Sequence, residues 1–105
     1  METTHRISNG DIVTHFKYGG NTNKEKQDNL YKYKVIEMNA HETDNYERVV
    51  VYQALYNNAK KGIKYGDIFV RKYEEFMSEV DREKYPLEKY PQYTQRYRFE
   101  VEDDD

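Results

Sequence analysis

His15, His41 and Arg71 are the side chains with the widest chemical reach in this sequence. His15 adjoins Phe16, so it is a candidate general base or ring-stacking contact. Equally, it reads as a strand histidine with a hydrogen-bonded ring. Arg71 lies where a strand hands over to a helix, between Val70 and an apolar helix face. Its planar fork suits a ligand carboxylate or phosphate, or a structural partner such as Glu74 or Glu75. Tyr52 and Tyr56 share one face of a strand, and with His15 they are able to form an aromatic wall. Such a wall with one arginine commonly holds a nucleotide, a base or a small acid.

Other chemistries lack their residues. His41 and Glu42 are neighbours, and neighbours on a strand point to opposite faces, so they do not readily share a zinc ion. The chain has no cysteine and only three histidines. It holds neither a His-Glu-x-x-His helix nor a Gly-x-Ser-x-Gly elbow. The pair Gly19-Gly20 lacks the Lys-Ser/Thr of a phosphate loop. No metal and no cofactor is expected.

Charge narrows the partners. The formal charge is −3, but Glu100, Glu102, Asp103, Asp104 and Asp105 alone carry −5, which leaves +2 on residues 1–99. That body is too nearly neutral to favour nucleic acid, which electrostatics would draw to a basic surface. The acidic end, 102–105, reads as a solvated terminus. No apolar run approaches the ~18 residues of a membrane span, so a soluble cytoplasmic protein is expected. Its expected partner is a small ligand or nucleotide, with the chain a monomer or weak dimer.

The elements that must position these residues follow from 105 residues and 12.8 kDa, room for one domain. Leu, Ile, Val and Phe total only 20 residues, so the twelve tyrosines must supply much of the buried area. Residues 1–8 read as a loose leader. Residues 11–18 follow as a strand with Ile12, Thr14 and Phe16 on one face and Val13, His15 and Lys17 on the other. Residues 20–29 are polar and aperiodic, an exposed loop. Residues 30–38 alternate as a second strand, with Tyr31, Tyr33 and Val35 opposite Lys32, Lys34, Ile36 and Met38. After a turn at 39–45, Val49-Val50-Val51 centre a third strand, 48–56, expected to be buried on both faces.

A fourth strand is expected around Ile68-Phe69-Val70. Tyr73, Phe76, Met77 and Val80 then stand at helical spacing, which predicts a helix over 72–80. The repeated Lys-Tyr-Pro at 84–86 and 89–91 reads as an ordered wrapping loop, since a residue before proline favours extended geometry. Strict alternation over 95–101 predicts a closing strand with Tyr97, Phe99 and Val101 inward.

Taken in order, His15-Phe16-Lys17, Tyr33-Lys34-Val35, Ala40-His41-Glu42-Thr43, Val50-Val51-Tyr52-Gln53-Ala54-Leu55-Tyr56 and Val70-Arg71 with Phe76 resemble the small bacterial DUF1653 family. Its pattern runs roughly HxKG, YxV, AxHSET, VVYxALY and WVRPxxxF. The resemblance implies a compact β-rich, SH3-like barrel of unknown function, sometimes beside other domains. Here the family's tight turn after HxKG gives way to the polar insertion 20–29, and the serine of HSET is absent. Phe69 stands for the usual tryptophan and Lys72 for the proline.

The expectation is therefore an α+β, mainly β domain over 9–101: a small bent antiparallel sheet or SH3-like barrel of about five strands with one short helix. It would act as a non-catalytic binding module for a nucleotide, nucleic acid or small anionic metabolite. Its site would comprise His15, Phe16, Tyr52, Tyr56 and Arg71, with His41 and Glu42 near the rim. The alternatives are a small hydrolase or transferase using His15 or His41 as general base on a nucleotide-like substrate, and a protein-interaction adaptor.

Overall fold

Four short apolar strands separated by turns, with a fifth at the end of the chain, form one antiparallel sheet in the computed structural model, which describes residues 5–102. The strands are β1 (Ile12–His15), β2 (Lys32–His41), β3 (Arg48–Ala54), β4 (Ile68–Lys72) and β5 (Phe99–Val101). Their order is β4-β3-β2-β1-β5, so the first four form a meander and β5 returns to pair with β1. The sheet is open, and the α+β, mainly β class holds.

Two irregularities bend it. Between the pairs Val35–Tyr52 and Glu37–Val51, β2 advances two residues while β3 advances one, and a second slip follows before Ala40–Val49. Each extra residue is a bulge that sharpens the local twist. The first also corrects the face assignment of β2. Tyr33, Val35 and Met38 are all buried while Ile36 is 42% exposed, because the bulge reverses the alternation between Val35 and Met38.

β3 is likewise one-sided. Val50, Tyr52 and Ala54 are buried, whereas Val49, Val51 and Gln53 are only half-buried. Among the described residues the second face stays half-buried, so the valine run does not form a strand buried on both sides. β1 is shorter than expected, because Phe16–Gly20 turns into a 3-10 helix. Phe16 drops into the interior there, while Val13 supplies the buried face of the strand.

The bent sheet brings its two edges together. β4 runs directly into α2 (Tyr73–Phe76), a single turn rather than the helix expected over 72–80. The carbonyl of Glu75 accepts from the Ser78 hydroxyl at 2.6 Å and from Arg98 Nε at 3.1 Å, which removes an acceptor from any further turn. The chain instead pairs with the approach to β5: Arg98 N donates to Ser78 O, Val80 N donates to Arg96 O, and Glu79 bridges Tyr97. Phe76 and Phe99 stack across this junction with centroids 4.2 Å apart and rings 9° from parallel. Tyr52 packs against both rings.

The polar insertion is not a bare loop. Thr22 and Glu25 form a reciprocal capping box that starts α1 (Asn23–Gln27). The wrapping loop at 81–95 is ordered, with the rings of Tyr90 and Tyr93 stacked at 5.4 Å. Gly19 makes its close approach possible, since a Cβ there would lie 2.3 Å from Gln92 O.

The closing strand is reduced to three residues. Of its expected inward set, Phe99 is 1% exposed, but Val101 is 43% exposed because it lies on the sheet edge. Tyr97 is half-buried and stacks on His5 at 3.7 Å. Ile7 is buried in the core, so the second half of the expected leader is packed against the fold; residues 1–4 lie outside the described residues. Of the acidic end, Glu102 pairs with Lys32, and 103–105 lie outside the described residues.

Truncating the stack should be costly. Phe99→Ala is expected to lower unfolding stability by ~3–5 kcal/mol, the usual cost of emptying a buried phenylalanine site. Val101→Ala, at the exposed edge, should change it by less than ~0.5 kcal/mol. Urea unfolding of the two variants checks the contrast.

Candidate functional site

The junction that closes the sheet also makes a cavity of about 370 Å³, lined by His15, Phe16, Lys17, Arg71, Glu75, Asp81, Lys84, Tyr85 and Arg98. β1 delivers His15 at its last residue, and the 3-10 turn behind it delivers Phe16 and Lys17. β4 and α2 deliver Arg71 and Glu75, the wrapping loop delivers Lys84 and Tyr85, and the approach to β5 delivers Arg98.

Arg71 pairs with Glu75, one of its two expected carboxylates, and also lines the cavity. Its Nη1 donates to Glu75 Oε1 at 2.7 Å and its Nε donates to the Tyr52 hydroxyl at 3.2 Å, while the side chain still lines the cavity. Burial alone would weaken its charge, but Tyr52 and Glu75 outweigh that and hold the guanidinium protonated. Arg98 is held by Nε, through Glu75 O and Ser78 Oγ, which leaves its terminal nitrogens without hydrogen bonds among the described residues.

His15 is fixed by its neighbours. Nδ1 accepts from Lys17 N at 3.2 Å, so the proton of the neutral ring resides on Nε2. The ring packs against Phe16, Tyr31 and Phe99. Burial, followed by the positive charges of Arg71, Lys17, Arg98 and Lys61, pushes its pKa down to about 3. The imidazole is therefore a neutral donor at ordinary pH and a feeble proton acceptor.

The two carboxylates in the cavity are engaged. Glu75 binds Arg71, and Asp81 Oδ1 accepts from the backbone amides of Glu83 and Lys84. Lys17, Lys84 and Arg98 have no carboxylate partner among the described residues. Lys17 and Lys84 instead each lie over the Tyr85 ring, 5.5 Å from its centroid. The arrangement is a set of hydrogen-bond donors over an aromatic floor, suited to an anion.

The residues singled out in the sequence part company here. His15, Phe16 and Arg71 line one cavity. Tyr52 stands behind it, 4% exposed, and reaches it only through the hydroxyl that holds Arg71. Tyr56 is 2% exposed and shares a 2.6 Å hydrogen bond with the Tyr33 hydroxyl, inside the core. The aromatic wall is thus Phe16 with Tyr85, since the face of β3 that carries Tyr52 packs on Phe76 and Phe99. His41 ends β2, exposed, opposite Arg48, and Glu42 accepts from the amides of Asp44 and Asn45 to shape the hairpin turn. Neither lines the cavity.

The pattern of the whole chain now finds its counterpart. A family described as "Protein of unknown function (DUF1653)" matches residues 11–101. This chain belongs to the DUF1653 family. Comparison with curated proteins and with solved structures finds no match. In this DUF1653 chain the motif residues His15, Phe16 and Arg71 converge, whereas Lys17, Lys84, Tyr85 and Arg98 were not singled out as site residues. The outward position of Arg98 in the alternating 95–101 segment and the tyrosine before Pro86 were the available signals for two of them. Among the described residues no group of three or more His, Asp or Glu side chains is placed to hold a metal ion, and no helix is long and apolar enough to cross a membrane.

The depressed pKa of His15 has a thermodynamic consequence. Its unfolded form binds a proton below about pH 6.5, whereas the folded form resists protonation down to about pH 3. This group therefore favours unfolding as pH falls through that window, by roughly 1.4 kcal/mol per pH unit, with no effect above it. His15→Asn should flatten that part of the stability–pH curve relative to the unsubstituted chain. Urea midpoints between pH 4 and 7 measure the difference.

Proposed function

We propose that this DUF1653 protein is a non-catalytic binding module for a small anionic ligand, a nucleotide or another anionic metabolite, held in the cavity between β1, α2 and the wrapping loop. The observation that carries this reading is the uneven charge of the cavity. Lys17, Arg71, Lys84 and Arg98 converge there with only Glu75 and Asp81 against them, in a chain of net charge −3. Gathering like charges without neutralising them opposes folding, which is typical of a site kept for a ligand. We place the protein in the bacterial cytoplasm as a monomer or weak dimer. The near-neutral body disfavours a long polyanion.

The hydrolase or transferase alternative is less well supported. A general base works best with a pKa near the operating pH, and His15 lies far below it. His41 stands apart on the hairpin. Ligand-detected NMR against nucleotides, short oligonucleotides and small carboxylic acids tests the binding reading. Binding is expected for small anions, with Arg71→Lys weakening it at least about tenfold, the loss of one strong ionic contact. Equal binding by the variant, or none by either protein, overturns it.

One observation favours an adaptor. β4 is an edge strand whose outer-face Ile68 and Val70 are 55% and 61% exposed, a surface suited to strand addition. Gel filtration with light scattering should then show a complex in host lysate that Val70→Lys abolishes. A monomer under all conditions counts against it.

A further inference from the structure

Resting on the anion-binding reading of this cavity, we propose that its ligand presents a terminal phosphoryl dianion, as in a phosphomonoester, rather than a carboxylate or a phosphodiester. Charge is the first argument. Four cationic side chains face two carboxylates, an excess of two positive charges, and His15 contributes a donor without adding charge. A carboxylate or a phosphodiester would leave half of that excess uncompensated. A phosphomonoester carries close to two negative charges at neutral pH and matches it.

Donor geometry is the second argument. Arg71 has Nη2 to spare after binding Tyr52 and Glu75, and Arg98 has both terminal nitrogens. His15 adds Nε2–H, and the amines of Lys17 and Lys84 make no hydrogen bond among the described residues. These donors come from four separate stretches of chain, 15–17, 71, 84 and 98, that together line the cavity. A carboxylate offers two coplanar oxygens, which one arginine fork already satisfies. A terminal phosphoryl group offers three oxygens in a tetrahedral array, which donors from several directions can share.

Size and the wall bound the remainder of the ligand. At about 370 Å³ the cavity lies near the lower end of ligand pockets, ~300–1,000 Å³, which suits a mononucleotide or sugar phosphate and not a polymer. Tyr85 acts as a positioning residue. Its ring, wedged edge-on to Phe16 at 5.0 Å, lies beneath the two lysine amines, neither of which has a carboxylate partner among the described residues.

Isothermal titration at low ionic strength and neutral pH decides the matter, with inorganic phosphate, AMP, cyclic 3′,5′-AMP and acetate as probes. Inorganic phosphate and AMP are expected to bind at least about tenfold more tightly than cyclic AMP or acetate. A preference for AMP over inorganic phosphate assigns a share to the organic part. Lys84→Gln, at an exposed position, should cut AMP affinity about fivefold with an unchanged melting temperature, and Tyr85→Leu should also weaken AMP binding without a charge change. Cyclic AMP or acetate binding as tightly as AMP overturns the phosphoryl assignment and leaves the anion pocket standing. If none of the four probes binds, the pocket reading falls with it.

Discussion

The stack of Phe76 on Phe99 is the contact on which the rest of this structure depends. One ring comes from the turn after β4 and the other from β5, so the two edges of an open five-stranded sheet meet at a 4.2 Å aromatic stack, flanked by the backbone bonds of 78–80 with 96–98. Both rings are fully buried, and Tyr52 packs on each. With few aliphatic residues available, the chain closes its core with aromatic surface instead. A large ring buries more area per residue than any aliphatic side chain, and its edge and face allow contacts in several directions.

Closure by that stack dictates where polar groups go. Glu75 and Arg98 immediately precede the two phenylalanines, Arg71 lies over the Phe99 ring, and all three side chains line the cavity at the rim of this apolar junction. The same constraint explains why α2 stops after one turn. The carbonyl of Glu75 is taken by Ser78 and Arg98, and the residues after the helix pair with the approach to β5. A longer amphipathic helix would satisfy the 72–80 periodicity but would forgo this pairing. The apolar residues of that pattern, Phe76 and Val80, are buried all the same, one from the helix and one from the bridge.

The cavity combines two opposed requirements. The histidine at the end of β1 is half-buried among Phe16, Tyr31 and Phe99, which disfavours charge on its ring. The positive charges of Arg71, Lys17, Arg98 and Lys61 repel the same protonation. The imidazole is therefore locked as a donor, with Nδ1 held by the amide of Lys17. Arg98 is anchored through Nε alone, and Arg71 through Nε and Nη1, which leaves both terminal nitrogens of the first and Nη2 of the second without hydrogen bonds among the described residues. Such anchoring fixes direction without consuming the donors, and so prepares the site before a ligand arrives.

Much of this was legible in the sequence because it rests on local alternation and composition. The antiparallel, mainly β class, the existence of the strands, the wrapping tyrosine loop and the family followed from residues close together in the chain. The capping box Thr22-x-x-Glu25 was legible too, although a polar, aperiodic segment masks so short a helix. Tertiary structure decided the rest. A bulge in β2 moved Met38 to the core face, which alternation cannot register because one inserted residue reverses every side chain beyond it. Tyr52 and Tyr56 look equivalent to surface tyrosines until Phe76 and Phe99 cover the first and Tyr31 and Tyr33 the second, and burial of that kind comes only from partners distant in sequence. Arg98, Lys84 and Tyr85 reach His15 across about seventy or more residues of chain, so no spacing could reveal them. Residue types set the chemistry that was available; the edge-to-edge closure of the sheet selected which of those residues meet.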